Sequence, residues 1–452
     1  MSRCIIIGGG MAGLSAAYYL QKLAPEVRVT LLEASLRLGG KIATVSEDGF
    51  LLEGGPDAVV RYKPWALELM KELGLEGQVV GTVPAKPSAL IHNGQQALPI
   101  PVGLQMVVPG DLKALALTPL LSPFGKARAL LDWIVPKGPV SDEAFGSFIQ
   151  RRLGRQVWER LVAPLSGGIY GGDPAELSTL AAFQQLKDLE QRHGSLLRGA
   201  LEQRKQRGTR EAGQLFASLQ GGLGNWVEAL VFALGEVEIR LSTLVESIER
   251  QGDSWWVHTS TGQLEADALI VAVPANATAR LLASLHPAAA AALSAIPYGD
   301  SATVSLAFRA DAVPPRVGHG MLMAAGGGFS VRGFTWTDQK WAGRAPEGFT
   351  LARGYFSGVG GSEVEVTRMA QADLSRLWGR VLTPERTWVF RWPEGLPRYT
   401  VGHGARVQQA LEAEQLPGLF LVGAAYHGVG LPEVVRMGGA KARAVADFVR
   451  RG

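Results

Sequence analysis

Three closely spaced glycines near the start of the chain could bind the diphosphate of a dinucleotide. Gly8, Gly10 and Gly13 form a GxGxxG pattern in IIIGGGMAGLSAAYYL, between a strand-like run and a helical one. Gly8 permits a tight turn, Gly10 lets a diphosphate approach the backbone, and Gly13 allows the helix to pack on the strand. The helix N-terminus would then offer free N–H groups to the phosphates.

An acidic residue follows this pattern at the spacing that ribose recognition needs. Glu33 lies twenty residues after Gly13, at the end of the second predicted strand. A carboxylate there can bind ribose hydroxyls and would repel a 2′-phosphate. The pattern therefore predicts FAD or NAD rather than NADP.

Three further segments favour FAD over NAD. A second glycine turn lies at 37–41, EGGPDA follows at 53–58, and GAAYHGVGLPE lies at 423–433. The last segment is typical of a glycine loop and a helix start, with Pro432 suited to the first helical turn. One dinucleotide needs one such loop for its phosphates, so a second helix start predicts a ligand long enough to contact both. A flavin ring beside it would have negative charge on its reduced form stabilised.

Other catalytic and metal-binding patterns are not found in the sequence. It has no Ser-His-Asp, HExxH or CxxC pattern, and its seven histidines lack metal-ligand spacing, so we predict no metal site. Cys4, the single cysteine, lies in an apolar run and is expected to pack in the core. His427, in the C-terminal glycine loop, is the one histidine that could contact reacting groups.

These residues are expected to be positioned by an α/β fold assembled from separate parts of the chain. The opening predicts strand 4–7, helix 11–23 and strand 27–33, the βαβ unit of a nucleotide-binding fold. Strands between 237 and 274 are expected to form a meander that leads back into the parallel sheet, and a further strand is expected at 418–424. We predict a Rossmann-like FAD-binding domain from residues 1–60, 225–300 and 415–452, a helix-rich insertion at 61–224 that contacts substrate or a membrane surface, and a mixed-sheet substrate domain at 301–414.

Composition and charge describe an ordinary folded protein. The net charge of +4 over 452 residues permits an anionic substrate and gives no argument for nucleic acid. Apolar runs are interrupted before 18 residues, so no transmembrane helix is predicted. We expect Lys126–Ile134 to form a helix facing the core, with an amphipathic helix on a membrane as the alternative. The lack of a cysteine pair and of a signal-peptide pattern predicts a cytoplasmic protein.

The sequence resembles the FAD-containing protoporphyrinogen and coproporphyrinogen III oxidases, within the wider group that includes the monoamine oxidases. The resemblance extends through nearly the whole chain. It includes APLSGGIYGGDPAELS (163–178), FTWTDQKW (334–341) and RWPEGLPRYTVGH (391–403). These segments match the porphyrinogen oxidases specifically, whereas the N-terminal motif is shared by the wider group.

The resemblance implies a set of contacts to non-covalently bound FAD. Val245 would contact the adenine through its backbone, and Trp392 would lie near the flavin ring. The implied cofactor residues are Gly8, Gly9, Gly10, Met11, Ala12, Gly13, Glu33, Ala34, Gly40, Lys41, Gly54, Gly55, Pro56, Asp57, Val245, Trp392, Gly423, Gly430, Leu431 and Pro432.

The resemblance also implies positions for a tetrapyrrole substrate. Lys63 matches a basic position that contacts a substrate propionate, and Arg61 beside it could share that contact. The residues that match positions on either side of the tetrapyrrole are Gly168, Ile169 and Leu322. A solvated loop for the two cations, and core positions for Ile169 and Leu322, are the alternatives.

The implied reaction is a six-electron oxidation of a porphyrinogen in haem biosynthesis. A two-electron flavin requires three rounds of hydride transfer, with dioxygen reoxidising the flavin and releasing peroxide. The ring itself can release the protons, so no protein base is strictly required. Coproporphyrinogen III is favoured over protoporphyrinogen IX, because its four propionates suit a protein with basic residues and no evident membrane segment.

Three alternatives remain open from the sequence. The chain could oxidise protoporphyrinogen IX, it could be an amine oxidase, or it could be a non-catalytic flavin-dependent interaction protein. An amine oxidase usually links its flavin to cysteine, and Cys4 lies far along the sequence from the C-terminal loop. The expected partners are the tetrapyrrole and dioxygen, without nucleic acid; weak contact with a membrane surface and contact with haem-pathway enzymes are further hypotheses.

Overall fold

The computed structural model of the protein describes residues 2–167, 172–207 and 215–451. Its first 60 residues contain the βαβ unit that the glycine pattern predicts. The elements there are β1 (Arg3–Ile7), α1 (Met11–Leu23), β2 (Arg28–Leu32), β3 (Thr44–Glu47), β4 (Phe50–Glu53) and β5 (Val59–Val60). Helix α1 begins directly after Gly10, at the residue that the sequence predicts.

The segment from 61 to about 235 is mostly helical, with short strands. Its elements are α2 (Trp65–Glu72), β6 (Val79–Gly81), β7 (Leu90–His92), β8 (Ala97–Pro99), β9 (Leu104–Gln105), β10 (Val108–Pro109), α3 (Leu112–Leu117), α4 (Pro123–Leu130), α5 (Phe145–Leu153), α6 (Arg155–Val157), a π-helical turn (Trp158–Val162), α7 (Ala163–Ser166), α8 (Thr179–His193), α9 (Leu196–Arg207), β11 (Phe216–Leu219) and α10 (Gly224–Ala233). The helical run between 145 and 162 is interrupted at Gly154, whose φ of +90° lies outside the helical region.

The remainder of the chain alternates strands and helices. Its elements are β12 (Glu238–Arg240), β13 (Val245–Gln251), β14 (Ser254–Thr259), β15 (Gly262–Ala266), β16 (Ala268–Val271), α11 (Ala275–Leu282), α12 (Pro287–Ser294), β17 (Tyr298–Arg309), β18 (Gly320–Met323), β19 (Gly333–Trp336), α13 (Thr337–Lys340), β20 (Phe349–Ser357), α14 (Glu363–Trp378), β21 (Arg386–Pro397), α15 (His403–Leu411), β22 (Leu419–Leu421) and α16 (Leu431–Val449). Strands β18 to β21, and most of β17, lie in the segment 301–414, where a mixed sheet is expected.

A five-stranded parallel sheet forms the first layer of the fold. Its strand order is β12-β2-β1-β16-β22. The chain moves outward from β1 to β2 and β12, then returns to the other side of β1 with β16. Ligands of open α/β sheets bind at such a reversal, beyond the carboxyl ends of the strands. The Gly8–Gly10 turn lies at that place, directly after β1.

The two ends of the chain pack against each other. Helix α16 lies on α1, and a Cβ atom on Gly438 would come within 2.9 Å of the Ala12 carbonyl oxygen and 2.8 Å of the Ser15 Cβ. Glycine at this position lets the two backbones approach more closely than any side chain would allow. The C-terminal glycine loop, which begins α16, is thereby held beside the N-terminal one.

A seven-stranded mixed sheet forms the second large layer. Its order is β21-β17-β20-β19-β18-β7-β8. Strands β7 and β8 come from the segment that the sequence analysis assigned to the helical insertion. Each has only three residues, so neither shows a measurable two-residue period, and their pairing with β18 depends on distant parts of the chain.

The segment around Lys126 differs from its predicted orientation. Helix α4 ends at Leu130 and a 3₁₀ turn follows, and this stretch buries Ala129 and Asp132 while Phe124 and Ile134 remain 88% and 75% exposed. The prediction of a core-facing helix is therefore wrong for most of its apolar side chains. Helical spacing alone does not reveal which face of a short helix is covered.

Within the ranges that the structure describes, no helix is long and apolar enough to span a membrane.

Candidate functional site

A large cavity opens at the carboxyl ends of β1 and β16 and extends to the seven-stranded sheet. Its volume is about 900 Å³, and more of its wall is apolar than polar. Sixteen residues expected to bind the cofactor line it: Gly8, Gly10, Met11, Ala12, Glu33, Ala34, Gly40, Lys41, Gly54, Gly55, Pro56, Val245, Trp392, Gly423, Gly430 and Leu431. Gly9, Gly13, Asp57 and Pro432 lie just behind this wall. Both predicted helix starts therefore border one cavity.

The three glycines of the first turn meet different constraints. Gly8 has a φ of +110°, which favours glycine, and any Cβ on Gly13 would overlap the carbonyl oxygen of Gly8. Gly10 differs, because its φ is −75° and a Cβ there would meet only Gly40 Cα, at 3.9 Å. The space in front of Gly10 is open to the cavity, as close approach by a diphosphate requires.

Two backbone N–H groups fix the carboxylate of Glu33, which follows β2 and lies against the first glycine turn. The N–H groups of Gly9 and Ser35 each donate to one oxygen of its carboxylate, at 2.8 Å. The carboxylate lines the cavity and retains lone pairs for further donors, such as ribose hydroxyls. Val245 lies nearby, at the start of β13, where it pairs with Thr259 of β14 before an irregularity between Val245 and Ser247.

The second glycine turn places a buried cation on the cavity wall. Arg37 donates from its guanidinium to the carbonyls of Gly40 at 2.6 Å and Ile42 at 2.9 Å, which fixes the loop around Lys41. Burial lowers the pKa of the Lys41 ammonium group, and no carboxylate in the described ranges pairs with it. An anionic group in the cavity would compensate this charge, so the site fits a phosphate-bearing cofactor.

The loop from Gly54 to Asp57 is held by the seven-stranded sheet. Trp392 Nε1 and Thr303 Oγ1 both donate to the carbonyl of Gly54 at 2.9 Å. Trp392 pairs with Ser301 across β17 and β21, so its ring lies on the cavity face of the sheet. The family resemblance implies that Trp392 lies near the flavin ring, and in the structure its indole N–H also supports the neighbouring loop.

Asp57 faces the sheet domain and does not line the cavity. Its carboxylate accepts hydrogen bonds from Lys340 Nζ at 2.7 Å and Trp341 Nε1 at 3.1 Å. Burial alone would raise the pKa of Asp57, but the charges of Lys340 and Arg353 outweigh it and hold the pKa well below its usual value. In the structure, the Asp57 side chain connects the Gly54–Asp57 loop to the sheet domain. Direct contact between this side chain and a cofactor stays a prediction.

The C-terminal loop is supported from behind by an aromatic pair. The Tyr399 hydroxyl donates to the carbonyl of Ala424 at 2.6 Å and accepts from the Gly428 N–H at 2.8 Å. His403 stacks on the Tyr399 ring, and burial together with the nearby Arg406 lowers its pKa to about 4. His403 is therefore neutral at physiological pH. His427 is exposed and does not line the cavity, so the structure gives it no contact with reacting groups.

The predicted substrate residues are placed less favourably than the cofactor residues. Lys63 forms an ion pair with Glu433, in the first turn of α16, and burial lowers its pKa, with Arg436 adding to the effect. Arg61 donates to the Phe216 carbonyl at 3.3 Å. Neither residue lines the cavity, so in this structure neither is a free propionate contact, because local partners occupy both.

The remaining substrate predictions have different outcomes. Leu322 packs against the same hydrophobic core as Val429, which lines the cavity, although Leu322 does not line it. Gly168 and Ile169 lie outside the described residues. The structure therefore agrees with the alternative given for Leu322, a packing position in the core.

Several residues at the sheet end of the cavity were not singled out from the sequence. Tyr355, Ser357 and Arg332 line it, and Arg353 lies behind them, 2% exposed, donating to the Gly55 carbonyl. An arginine inside an otherwise apolar strand is a usable signal, because charged side chains are rarely buried without a partner. The sequence TLARGYFSG contains that signal.

Among the described residues no group of three histidine, cysteine, aspartate or glutamate side chains could hold a metal ion.

Comparison with protein families and solved structures gives consistent matches. The family of flavin containing amine oxidoreductases matches residues 11–446. The coproporphyrinogen III oxidase of Bacillus subtilis is 35% identical, covering 98% of this chain and 97% of the relative. The corresponding Propionibacterium freudenreichii protein is 37% identical over 95% of this chain and 88% of its own. The chloroplastic protoporphyrinogen oxidase 1 of Arabidopsis thaliana is 30% identical over 99% and 88%.

Solved structures support the same assignment. A crystal structure from Exiguobacterium sp. 255-15 has a TM-score of 0.87 with 33% identity, covering 98% of each chain. A reduced UDP-galactopyranose mutase has a TM-score of 0.72 with 17% identity, which shows a shared fold alone. The α/β fold and the resemblance stated from the sequence motifs are thereby confirmed. The chain belongs to the flavin containing amine oxidoreductase family and, within it, to the porphyrinogen oxidases.

Proposed function

We propose that this protein oxidises coproporphyrinogen III to coproporphyrin III with FAD, passing the electrons to dioxygen and releasing peroxide. Identity supports this substrate most directly. Four bacterial coproporphyrinogen III oxidases are 30–37% identical over at least 95% of this chain, three of them at 33–37%, whereas four plant protoporphyrinogen oxidases are 28–30% identical. Oxidation of protoporphyrinogen IX is the alternative.

The cavity residues fit FAD bound without a covalent link. The Gly8–Gly10 turn and Lys41 would hold its diphosphate, Glu33 and Val245 its adenosine, and Trp392 with the start of α16 its ring. When bound, FAD supplies two-electron oxidation, so six electrons require three turnovers. No cysteine or histidine occurs among the described residues that line the cavity, which supports non-covalent binding.

The chain's own residues would mainly bind and orient the substrate. The carboxylates among the described lining residues are those of Glu33 and Glu246, which lie with Val245 in the part of the cavity assigned to the adenosine. Protons from the pyrrole nitrogens and bridge carbons would therefore pass to water rather than to a dedicated base. The sheet face around Ser301 and Thr303 supplies a rigid wall against which a planar product can lie.

A paired substrate assay tests this proposal. We expect purified protein to be yellow, to release its FAD on denaturation, and to produce coproporphyrin fluorescence in air with a kcat/KM at least tenfold above that for protoporphyrinogen IX. The reason for the preference is the identity with the bacterial relatives. Without dioxygen, each bound FAD can accept two of the six electrons, so the flavin should lose its yellow colour while coproporphyrin does not accumulate.

Each departure from this result has one meaning. A higher kcat/KM for protoporphyrinogen IX would replace the proposed substrate by the alternative. Oxidation of putrescine or another amine, with neither porphyrinogen oxidised, would place the chain with the amine oxidases. Yellow protein that oxidises none of these compounds would favour a non-catalytic flavoprotein.

The exposed apolar residues around α4 support a weak contact with an anionic membrane surface. Leu117, Phe124, Leu130, Leu131, Trp133 and Ile134 are each at least 40% exposed and define a surface that we name the 117–134 surface. The acid within it, Asp132, is buried, and Arg198 lies 5.9 Å from the Trp133 ring centroid. Exposed apolar and cationic side chains together favour anionic lipid headgroups.

Vesicle sedimentation tests this membrane contact. A Phe124→Asp/Ile134→Asp variant should reduce the fraction bound to phosphatidylglycerol vesicles at least fivefold, because both side chains would leave the acyl boundary. Phe232→Asp is the matched control, since Phe232 is 91% exposed on α10 and should leave binding unchanged. Equal sedimentation of wild type and the double variant would contradict the proposal.

A further inference from the structure

Arg332 is an unpaired cation on the cavity wall. It lies immediately before β19, lines the cavity and is exposed. In the described ranges its guanidinium has no carboxylate within ion-pair distance. An exposed arginine on the wall of a cavity whose lining is mostly apolar is available to bind an anion that enters it.

The backbone around Arg332 is held on both sides. Its N–H donates to the Tyr355 carbonyl at 2.7 Å, and its own carbonyl accepts from the Met323 N–H at 2.9 Å. Val331 and Phe334 on either side are 1% and 2% exposed and pack in the core beside α14. Because its backbone and its neighbours are fixed, the side chain of Arg332 extends from a defined position on the cavity wall.

Arg332 differs from the other charged groups that line the cavity. Glu33, Glu246 and Arg280 surround the adenosine end, where α11 packs on β13, and Lys41 belongs to the second glycine turn. Arg332, directly before β19, is thus the one charged lining residue in the described ranges that adjoins the seven-stranded sheet. Tyr355 and Ser357 line the same part of the cavity. An anion bound there would be separate from the cofactor's diphosphate at the Gly8–Gly10 turn.

We infer that Arg332 binds a propionate carboxylate of the tetrapyrrole and so contributes to the choice between porphyrinogens. This inference rests on the proposed function. A guanidinium can hold a carboxylate through two parallel hydrogen bonds, which fixes direction as well as affinity. Lys63 is paired with Glu433 and does not line the cavity. Among the described residues, Arg332 is therefore the cation available to a substrate carboxylate at the sheet end of the cavity.

Binding of the oxidised product to FAD-loaded protein tests Arg332 apart from turnover. We expect Arg332→Gln to raise the Kd for coproporphyrin III about 10- to 50-fold, as expected for a charged hydrogen bond, and Arg332→Lys about threefold. Coproporphyrin III tetramethyl ester, whose carboxylates are masked, should bind all variants alike. Arg368→Gln on α14 is the matched control, because Arg368 is exposed and does not line the cavity, and it should bind both ligands as wild type.

The outcomes separate this inference from the proposed function. Wild-type affinity of Arg332→Gln for coproporphyrin III would overturn the inference, and so would equal weakening of acid and ester, which would indicate a packing role. Loss of FAD from Arg332→Gln would assign the arginine to the cofactor instead. If wild-type protein neither binds nor oxidises either tetrapyrrole, the proposed function itself fails.

Discussion

Gly10→Val is expected to leave the fold intact while raising the Kd for FAD at least 100-fold, equivalent to about 2.7 kcal/mol. Gly10 has a φ of −75°, and a Cβ at this position meets only Gly40 Cα at 3.9 Å, so the new side chain strains neither the backbone nor its neighbours. Its methyl groups would instead fill the space in front of the α1 N-terminus. Equilibrium dialysis with FAD, together with far-UV circular dichroism of the apoprotein, measures both parts of this result.

Gly13→Ala is the contrasting variant for this experiment. A Cβ at Gly13 overlaps the Gly8 carbonyl oxygen, a backbone atom that cannot rotate away. We therefore expect this variant to lose several kcal/mol of folding stability with or without FAD, as overpacking does. If Gly10→Val binds FAD as tightly as wild type, the diphosphate does not approach the α1 N-terminus and the cofactor site is wrongly placed.

Lys340→Met is expected to lower the free energy of unfolding by about 3 kcal/mol and to speed FAD release. The substitution removes a cation that bonds Asp57 at 2.7 Å, where the two side chains are 15% and 18% exposed. Breaking such a pair leaves a poorly solvated carboxylate without its partner. The loop that carries Gly54 and Gly55 would then lose one of its attachments to the sheet, and stopped-flow FAD dissociation measures that loss.

Controls for Lys340→Met come from a second ion pair and from pH. Lys71→Met should cost below about 0.5 kcal/mol, because Lys71 and Glu76 are more than two-thirds exposed. The folded pKa of Asp57 is depressed, so its stabilising contribution is full above the unfolded value near pH 4 and falls as the pH drops further. The difference between wild type and Lys340→Met should therefore be constant from pH 6 to 8 and shrink below about pH 4; a difference that grows on acidification would contradict this account.

The sequence predicts those parts of the cofactor site whose residues are close together in the chain. The bounds of α1 and the separate reasons for Gly8, Gly10 and Gly13 follow from local sterics, which a short motif contains in full. Glu33 follows for the same reason, since strand β2 fixes its distance from the turn. The sequence also predicts that the two chain ends meet. A second glycine loop and helix start implies a ligand long enough to contact both ends.

Contacts between distant segments could not be predicted in the same way. The bond from Lys340 to Asp57 spans 283 positions, and nothing near either residue indicates the other. The pairing of Lys63 with Glu433 likewise depends on where α16 packs. The sequence therefore predicted a cation free to bind substrate at Lys63, whereas the structure has an ion pair there. Arg332 was overlooked because an exposed arginine before a strand is ordinary until the cavity beside it is known.

The packing of α16 on α1 also dictates when during its biogenesis the protein can acquire its prosthetic group. The nucleotide-binding turn emerges from the ribosome first, yet the opposite wall, at Gly423 and Gly430, is translated among the last thirty residues. At roughly 5–20 residues per second, tens of seconds separate the two events. A nascent chain therefore carries an incomplete binding cavity through most of its synthesis, and holoenzyme assembly follows translation of Gly423 and Gly430, so a truncation before Gly423 should prevent it.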